Sequence, residues 1–432
     1  MPAPQEALRG GNRLDRVTTD PMELNATGPS PGHTGNEEER HASWLELFFD
    51  LVFVLAVTQV ADALNHDLSP AGFLHFALVF LPLWWGWVGF SFYVSRFPRE
   101  DNLVRLLMLA AMLAVAALST NVAGAFTGET AVGFALSYAG LRACLVALYV
   151  NTRWKEPAAR ELVDFYIAGF GLGVVLWLIS AGVPAPARYA LWAVGFSVEA
   201  GTPALASGRM KRAPGIDLAH LPERFGLFVI IVLGESVAAV GLDLANIEST
   251  VTITLSAVGC FVLAAAVWWE YFDFGSRSAR LGLMSSAHPA AYARDVYSYG
   301  HLPVVIGLAA ASVGAEQVIA HSGDTTLSAE VRWALAGGVA VYLLGNAGMH
   351  VAMARTTGDP GPRVEIAAVV LTLVLAAVSG GFAPLLFLAL IVALVVGQLA
   401  LDLQGERRAD RVRQGVDQGG STMTDRKSRS PS

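Results

Sequence analysis

Apolar runs of about twenty residues recur between Trp44 and Leu401, divided by short polar breaks or by glycine and proline. A helix rises about 1.5 Å per residue, so roughly twenty residues cross a hydrocarbon core of about 30 Å. The pattern therefore predicts an all-α integral membrane protein with about 12 transmembrane helices. The expected spans are 44–64, 71–93, 103–123, 131–150, 162–181, 187–205, 222–241, 251–272, 292–320, 333–354, 364–379 and 382–401. Only Ser379-Gly380-Gly381 divides the last two, and with Pro384 beyond it this reads as a hairpin turn.

Lys and Arg in short loops resist translocation and so mark the cytoplasmic face. The loops after the even-numbered helices carry Arg96 and Arg99; Arg153, Lys155 and Arg160; Arg209, Lys211 and Arg212; Arg277 and Arg280; Arg355 and Arg363. The loops on the other side, with their edges, carry Arg188 and Arg332. Both termini are then expected in the cytoplasm, with the bilayer of a bacterial cell membrane between the two sets of loops.

The helices also repeat. An offset of 177 pairs Glu46 with Glu223, Phe48 with Phe225 and Val52 with Val229, and an offset of 184 lays Trp84-Trp85 over Trp268-Trp269. These are the two Trp-Trp pairs of the chain. The reading is two parallel six-helix repeats, 44–205 and 222–402, joined by a cytoplasmic linker at 206–221. Residues 1–43 and 403–432 each carry eleven charges and little apolar surface, which predicts disordered cytoplasmic tails.

Composition agrees and removes other classes. Of 432 residues 54% are hydrophobic and 15% charged, with a mean hydropathy of +0.50. A net charge of -7 with scattered cations leaves no electrostatic footprint for nucleic acid. Cys144 and Cys260 lie far apart in apolar runs and form neither a disulfide framework nor a CxxC site. No apolar stretch precedes residue 44, so no cleaved signal peptide is expected.

After tails and loops are set aside, a few ionisable groups remain at bilayer depth, where each costs roughly 2.5 to 3.5 kcal/mol to insert. Glu46 and Asp50 stand four residues apart on one face of the first helix, so either a proton or a cation is needed between them. Arg142, about 12 Å deep by helical rise, is expected to pair with one of them. Glu223 and Arg224 follow Pro222 at a helix start, where Glu223 suits the helix dipole. Glu235, within Gly234-Glu235-Ser236, is the lone carboxylate past the midplane and a functional candidate. His301 precedes Pro303, whose missing N–H frees the carbonyl of Tyr299 or a neighbour, and an imidazole there suits proton relay. Glu199 with Pro203, and Glu270 with Asp273 beside the second Trp pair, are weaker candidates. Acid and imidazole donors suit several divalent ions, but no spacing calls for a metal or a cofactor, and no hydrolase, zincin or phosphate-loop motif is present.

The segments Trp44-Leu-Glu-Leu-Phe-Phe-Asp-Leu-Val-Phe-Val, the Arg142 helix, and His220-Leu-Pro-Glu-Arg-Phe-Gly-Leu-Phe-Val-Ile-Ile-Val-Leu-Gly-Glu-Ser resemble the bacterial low temperature requirement protein A family. The similarity runs over most of residues 42–401. It implies a multi-helix bacterial membrane protein and supplies no substrate, partner or catalytic residue. The parallel halves and embedded acids point to a proton- or ion-coupled transporter, with a lipid- or isoprenoid-converting enzyme and an ion channel as alternatives.

Overall fold

The computed structural model describes residues 42–427 apart from 100, 211–214, 247–249 and 358–360; side chains at 207, 235–236, 238–246, 357 and beyond 405 also fall outside the described residues. The amino-terminal tail expected at 1–43 lies almost wholly outside them.

Among the described residues the fold is all helix, without strands. We number the long helices α1 Trp44–His66, α2 Pro70–Arg96, α3 Asn102–Ser119, α4 Ala131–Lys155, α5 Arg160–Ala181 and α6 Ala187–Leu205. A single turn, Ser207–Met210, leads on to α7 His220–Asn246. Then come α8 Val251–Ser285, α9 Pro289–Ala320, α10 Ala329–Thr357, α11 Arg363–Val378 and α12 Pro384–Lys427. Ten of the described helices, α1 to α5 and α8 to α12, are long and apolar enough to cross a membrane, which makes this a multi-pass membrane protein. The helix α6 falls outside that set because its nineteen residues include Arg188, Glu199 and Pro203.

Local chemistry sets the starts. Ser43 caps α1 by accepting the Glu46 N–H at 3.4 Å, and its hydroxyl donates to Glu46 Oε1 at 3.1 Å. Ser69 with Pro70 begins α2, and Asp101 caps α3 through the Val104 N–H.

The helices pack with their sequence neighbours and with one helix further on. α1 lies on α2 and α3, and α3, α4, α5 and α6 follow pairwise. Likewise α7 lies on α8 and α9, and α9 to α12 follow pairwise. The two sets meet where α1 touches both α7 and α9. The tightest crossing is α9 on α10, where a Cβ at Gly314 would run into the Leu335 backbone and one at Gly338 into Ala311. Small residues let two backbones close on each other in a medium that adds no hydrophobic drive.

Two helices widen partway. A π-turn at Tyr271–Gly275 interrupts α8, and another at Arg294–Gly300 precedes Pro303 in α9. The carbonyl of Ser298, five residues before that proline, accepts the Trp84 indole N–H at 2.8 Å. The freed carbonyl expected near Tyr299 is therefore Ser298. The last helix departs from expectation: it runs on through Lys427, into the segment read as a disordered tail from 403. Glu406 to Arg413 are mostly Glu, Arg and Ala, with no proline among them, which lets the helix continue past the apolar span.

Candidate functional site

Two charged ladders face each other where α1 meets α7. Glu46 and Asp50 stand one turn apart on α1, and His220 and Arg224 one turn apart on α7. Arg224 bridges both acids: it hydrogen-bonds Asp50 Oδ1 and lies 3.3 Å from Glu46 Oε2. His220 Nε2 is 2.8 Å from the same Glu46 oxygen, and its Nδ1 is 3.0 Å from Ser95 Oγ of α2. Asp50 also accepts the Trp87 indole N–H at 2.7 Å, and the Arg224 guanidinium sits 5.8 Å from the Trp87 ring centre. Asp50, His220 and Arg224 are 0% exposed and Glu46 2%.

Each ladder is fixed by its helix start. The Ser43 hydroxyl holds Glu46 by donating to its Oε1. Asp217 caps α7 by accepting the N–H groups of Ala219 at 2.9 Å and His220 at 3.0 Å, while its own N–H bonds the Ser95 carbonyl at 3.1 Å. The imidazole is thus locked to the end of α2 from both sides. Four ionisable groups without solvent depend on one another for their charge, since none has water to fall back on.

Arg142 is not part of this cluster. It was expected to pair with Asp50 or Glu46, yet its Nε lies 2.7 Å from Glu199 Oε2 on α6, both side chains 0% exposed. Tyr138, one turn earlier on α4, donates to Glu199 Oε2 at 2.8 Å, and Arg142 stacks 4.6 Å over Phe170. The acid that meets Arg142 is the one α6 brings to it, whereas Glu46 and Asp50 are taken up by Arg224 of α7. A Cβ at Gly89 would sit 2.7 Å from Arg142 Nη1, so that glycine makes room for the guanidinium.

His301 is brought close to the cluster only through Phe225. It is fully buried, its Nδ1 is 3.0 Å from the Val296 carbonyl, and the rings of Tyr297, Phe225 and Tyr271 surround it. No carboxylate pairs with it among the described residues, so the geometry favours packing over relay. Glu223 is half-buried in the first turn of α7, where the dipole reading places it. The side chain of Glu235 lies outside the described residues. Glu270, expected near the surface, is 2% exposed and accepts from Tyr342 and Asn346 of α10. Asp273 is exposed and takes the Trp269 N–H at 2.5 Å. Among the described residues no three His, Cys, Asp or Glu are grouped to hold a metal ion.

A model of the bacterial low temperature requirement A protein (LtrA) matches residues 41–400. The chain belongs to that family. An uncharacterized protein of Rhizobium meliloti (strain 1021) is 31% identical over 296 residues, 66% of this chain and 71% of that protein. No solved structure matches the chain.

In this LtrA family member the residues that sequence reading passed over are His220, Ser95, Trp87 and Tyr138. One signal for the first was present. His220 and Arg224 repeat the four-residue spacing of Glu46 and Asp50 with opposite sign, and each ladder opens a helix. The others carry no sequence signal, because serine, tryptophan and tyrosine in apolar helices are common and only helix packing selects them.

Proposed function

We propose that this LtrA protein is a proton- or ion-coupled transporter whose α1–α7 cluster exchanges the coupling proton. With the His220 imidazole neutral, Glu46, Asp50 and Arg224 leave one negative charge, and a single proton brings the sum to zero. A buried site that changes charge must move a proton or a cation with it. The observation that carries the reading is that this set spans the contact between two helix groups: α1 brings the acids and α7 the bases.

Like packing in the two groups supports two parallel six-helix halves, with α6 and α7 also crossing to make twelve spans. The two Trp pairs occupy matching places in unlike settings, Trp84 and Trp85 buried and Trp268 and Trp269 nearly half exposed. Transporter sites sit at such interfaces between repeats. The loop cations favour both termini in the cytoplasm, with the cluster near that face.

Purified protein in liposomes with an entrapped pH dye tests this. A panel of solutes is offered under an imposed pH gradient, and uptake coupled to dye response identifies the cargo. Wild type takes up at least one solute with proton movement, and Glu46→Gln and Asp50→Asn lose the coupling while remaining monodisperse. Uptake of that solute with unchanged proton movement in both variants contradicts the role.

A further inference from the structure

A second feature lies on the opposite face of α2. Where α2 ends and α9 begins, a partly open cleft of about 40 Å³ lies between α2, α4, α5, α6 and α9. Trp85, Tyr149, Tyr166 and Phe170 line it, and Arg96 and Arg294 reach into it.

Arg96 is the anomaly. It is only 7% exposed, and among the described residues no carboxylate pairs with it. Its polar neighbour is the hydroxyl of Tyr166. Three other cations at this end are matched: Arg99 with Glu156 at 2.5 Å, Lys155 with Asp101 at 2.6 Å, and Arg153 with Asp164. Arg294, also on the cleft, holds Asp295 at 2.6 Å, and that carboxylate is more than half exposed and outside the lining. Among the described residues the cleft therefore contains two guanidiniums and no lining acid, within aromatic walls. A buried, permanently charged guanidinium without a counter-ion is costly, and its planar fork matches the two oxygens of a carboxylate or phosphate.

We propose that this cleft binds an amphiphilic anion: a phosphate or carboxylate head held by Arg96 and Arg294, with its apolar body against Trp85, Phe170 and the two tyrosines. A membrane lipid headgroup and a free amphiphilic metabolite share this chemistry. The site stands apart from the α1–α7 cluster and does not depend on proton exchange there.

Thermal unfolding of the full chain, read with octyl phosphate, inorganic phosphate and octanol, tests it. Octyl phosphate stabilises wild type at lower concentration than inorganic phosphate, and octanol has no matching effect. Arg96→Gln weakens octyl phosphate at least about tenfold, in line with loss of a charge-assisted pair. Met210→Trp fills the cleft without touching the cations and has the same effect; it decides alone if Arg96→Gln does not fold. Nanodiscs separate the sources. If phosphatidylglycerol discs abolish the octyl phosphate response that phosphatidylcholine discs retain, a lipid headgroup occupies the cleft; equal responses in both assign it to a free anion. Wild-type affinity for octyl phosphate in both variants, or equal stabilisation by octanol, overturns the proposal.

Discussion

In each of the two helix groups a buried glutamate meets a tyrosine and the residue one turn beyond it. In the first, Tyr138 and Arg142 of α4 hold Glu199 of α6; in the second, Tyr342 and Asn346 of α10 hold Glu270 of α8. The spacing is the same and the chemistry is not. Arginine makes the first a closed ion pair, neutral in itself and independent of outside protons. Asparagine leaves Glu270 with neutral donors only, and the charged groups around it, Glu365 and Asp402, are also acidic. Geometry alone does not decide whether a buried acid is a lock or a proton site; the charge of its partner does. The α1–α7 cluster joins both kinds: one arginine bridges two acids, and one imidazole lies beside them.

The largest effect is expected where the lock is opened. Arg142→Met leaves the Glu199 charge buried and unpaired and should cost about 3 to 5 kcal/mol in detergent unfolding. Glu270→Gln keeps a neutral acceptor for Tyr342 and Asn346 and should cost less than about 1.5 kcal/mol. Equal losses in the two variants would erase the distinction.

An intermediate effect separates the tyrosines. Tyr342→Phe removes one of two neutral donors from Glu270, and Tyr138→Phe removes a donor from a glutamate that keeps its arginine. Both cost roughly 1 to 3 kcal/mol, and thermal unfolding should rank Tyr342→Phe as the worse. The reverse order would mean that the ion pair depends on its tyrosine.

The smallest effect comes from an exposed pair that serves as the solvated reference. Asp101 caps α3 outside the spans, and the Lys155 ammonium, followed by the Val104 N–H, holds its carboxyl below the usual range. Its contribution is full above the ordinary carboxylate value of roughly 3.9 and fades as pH falls through the lowered one. Asp101→Ala should therefore cost about 1 kcal/mol at neutral pH and nothing in strong acid, as read by unfolding across pH. A deficit that persists in acid would show that the loss is not electrostatic.

That the chain is a row of apolar membrane helices could be read from hydropathy, since each apolar run satisfies its own backbone and needs no distant partner. Helix starts at Trp44 and Pro70 carried local signals, Ser43 before the one and Ser69 with Pro70 at the other. Partner choice could not be read. Arg142 and Glu199 lie 57 residues apart, and which acid meets which cation depends on which helices touch, not on depth. Glu270 looked superficial because its depth was judged from the helix end, whereas α10 and its Tyr342 cover it. The acids of α1 stood out by spacing alone, and their partners on α7 shared that spacing but began a helix whose neighbour was not evident.

The central claim, that the α1–α7 cluster exchanges a proton, is tested most directly without knowing the cargo, by pH-jump infrared difference spectroscopy on the reconstituted protein. Wild type should show a carboxyl or imidazole protonation band that disappears in Glu46→Gln and in His220→Gln, while Glu199→Gln leaves it in place. The same band in all four proteins, or none in wild type, contradicts the account.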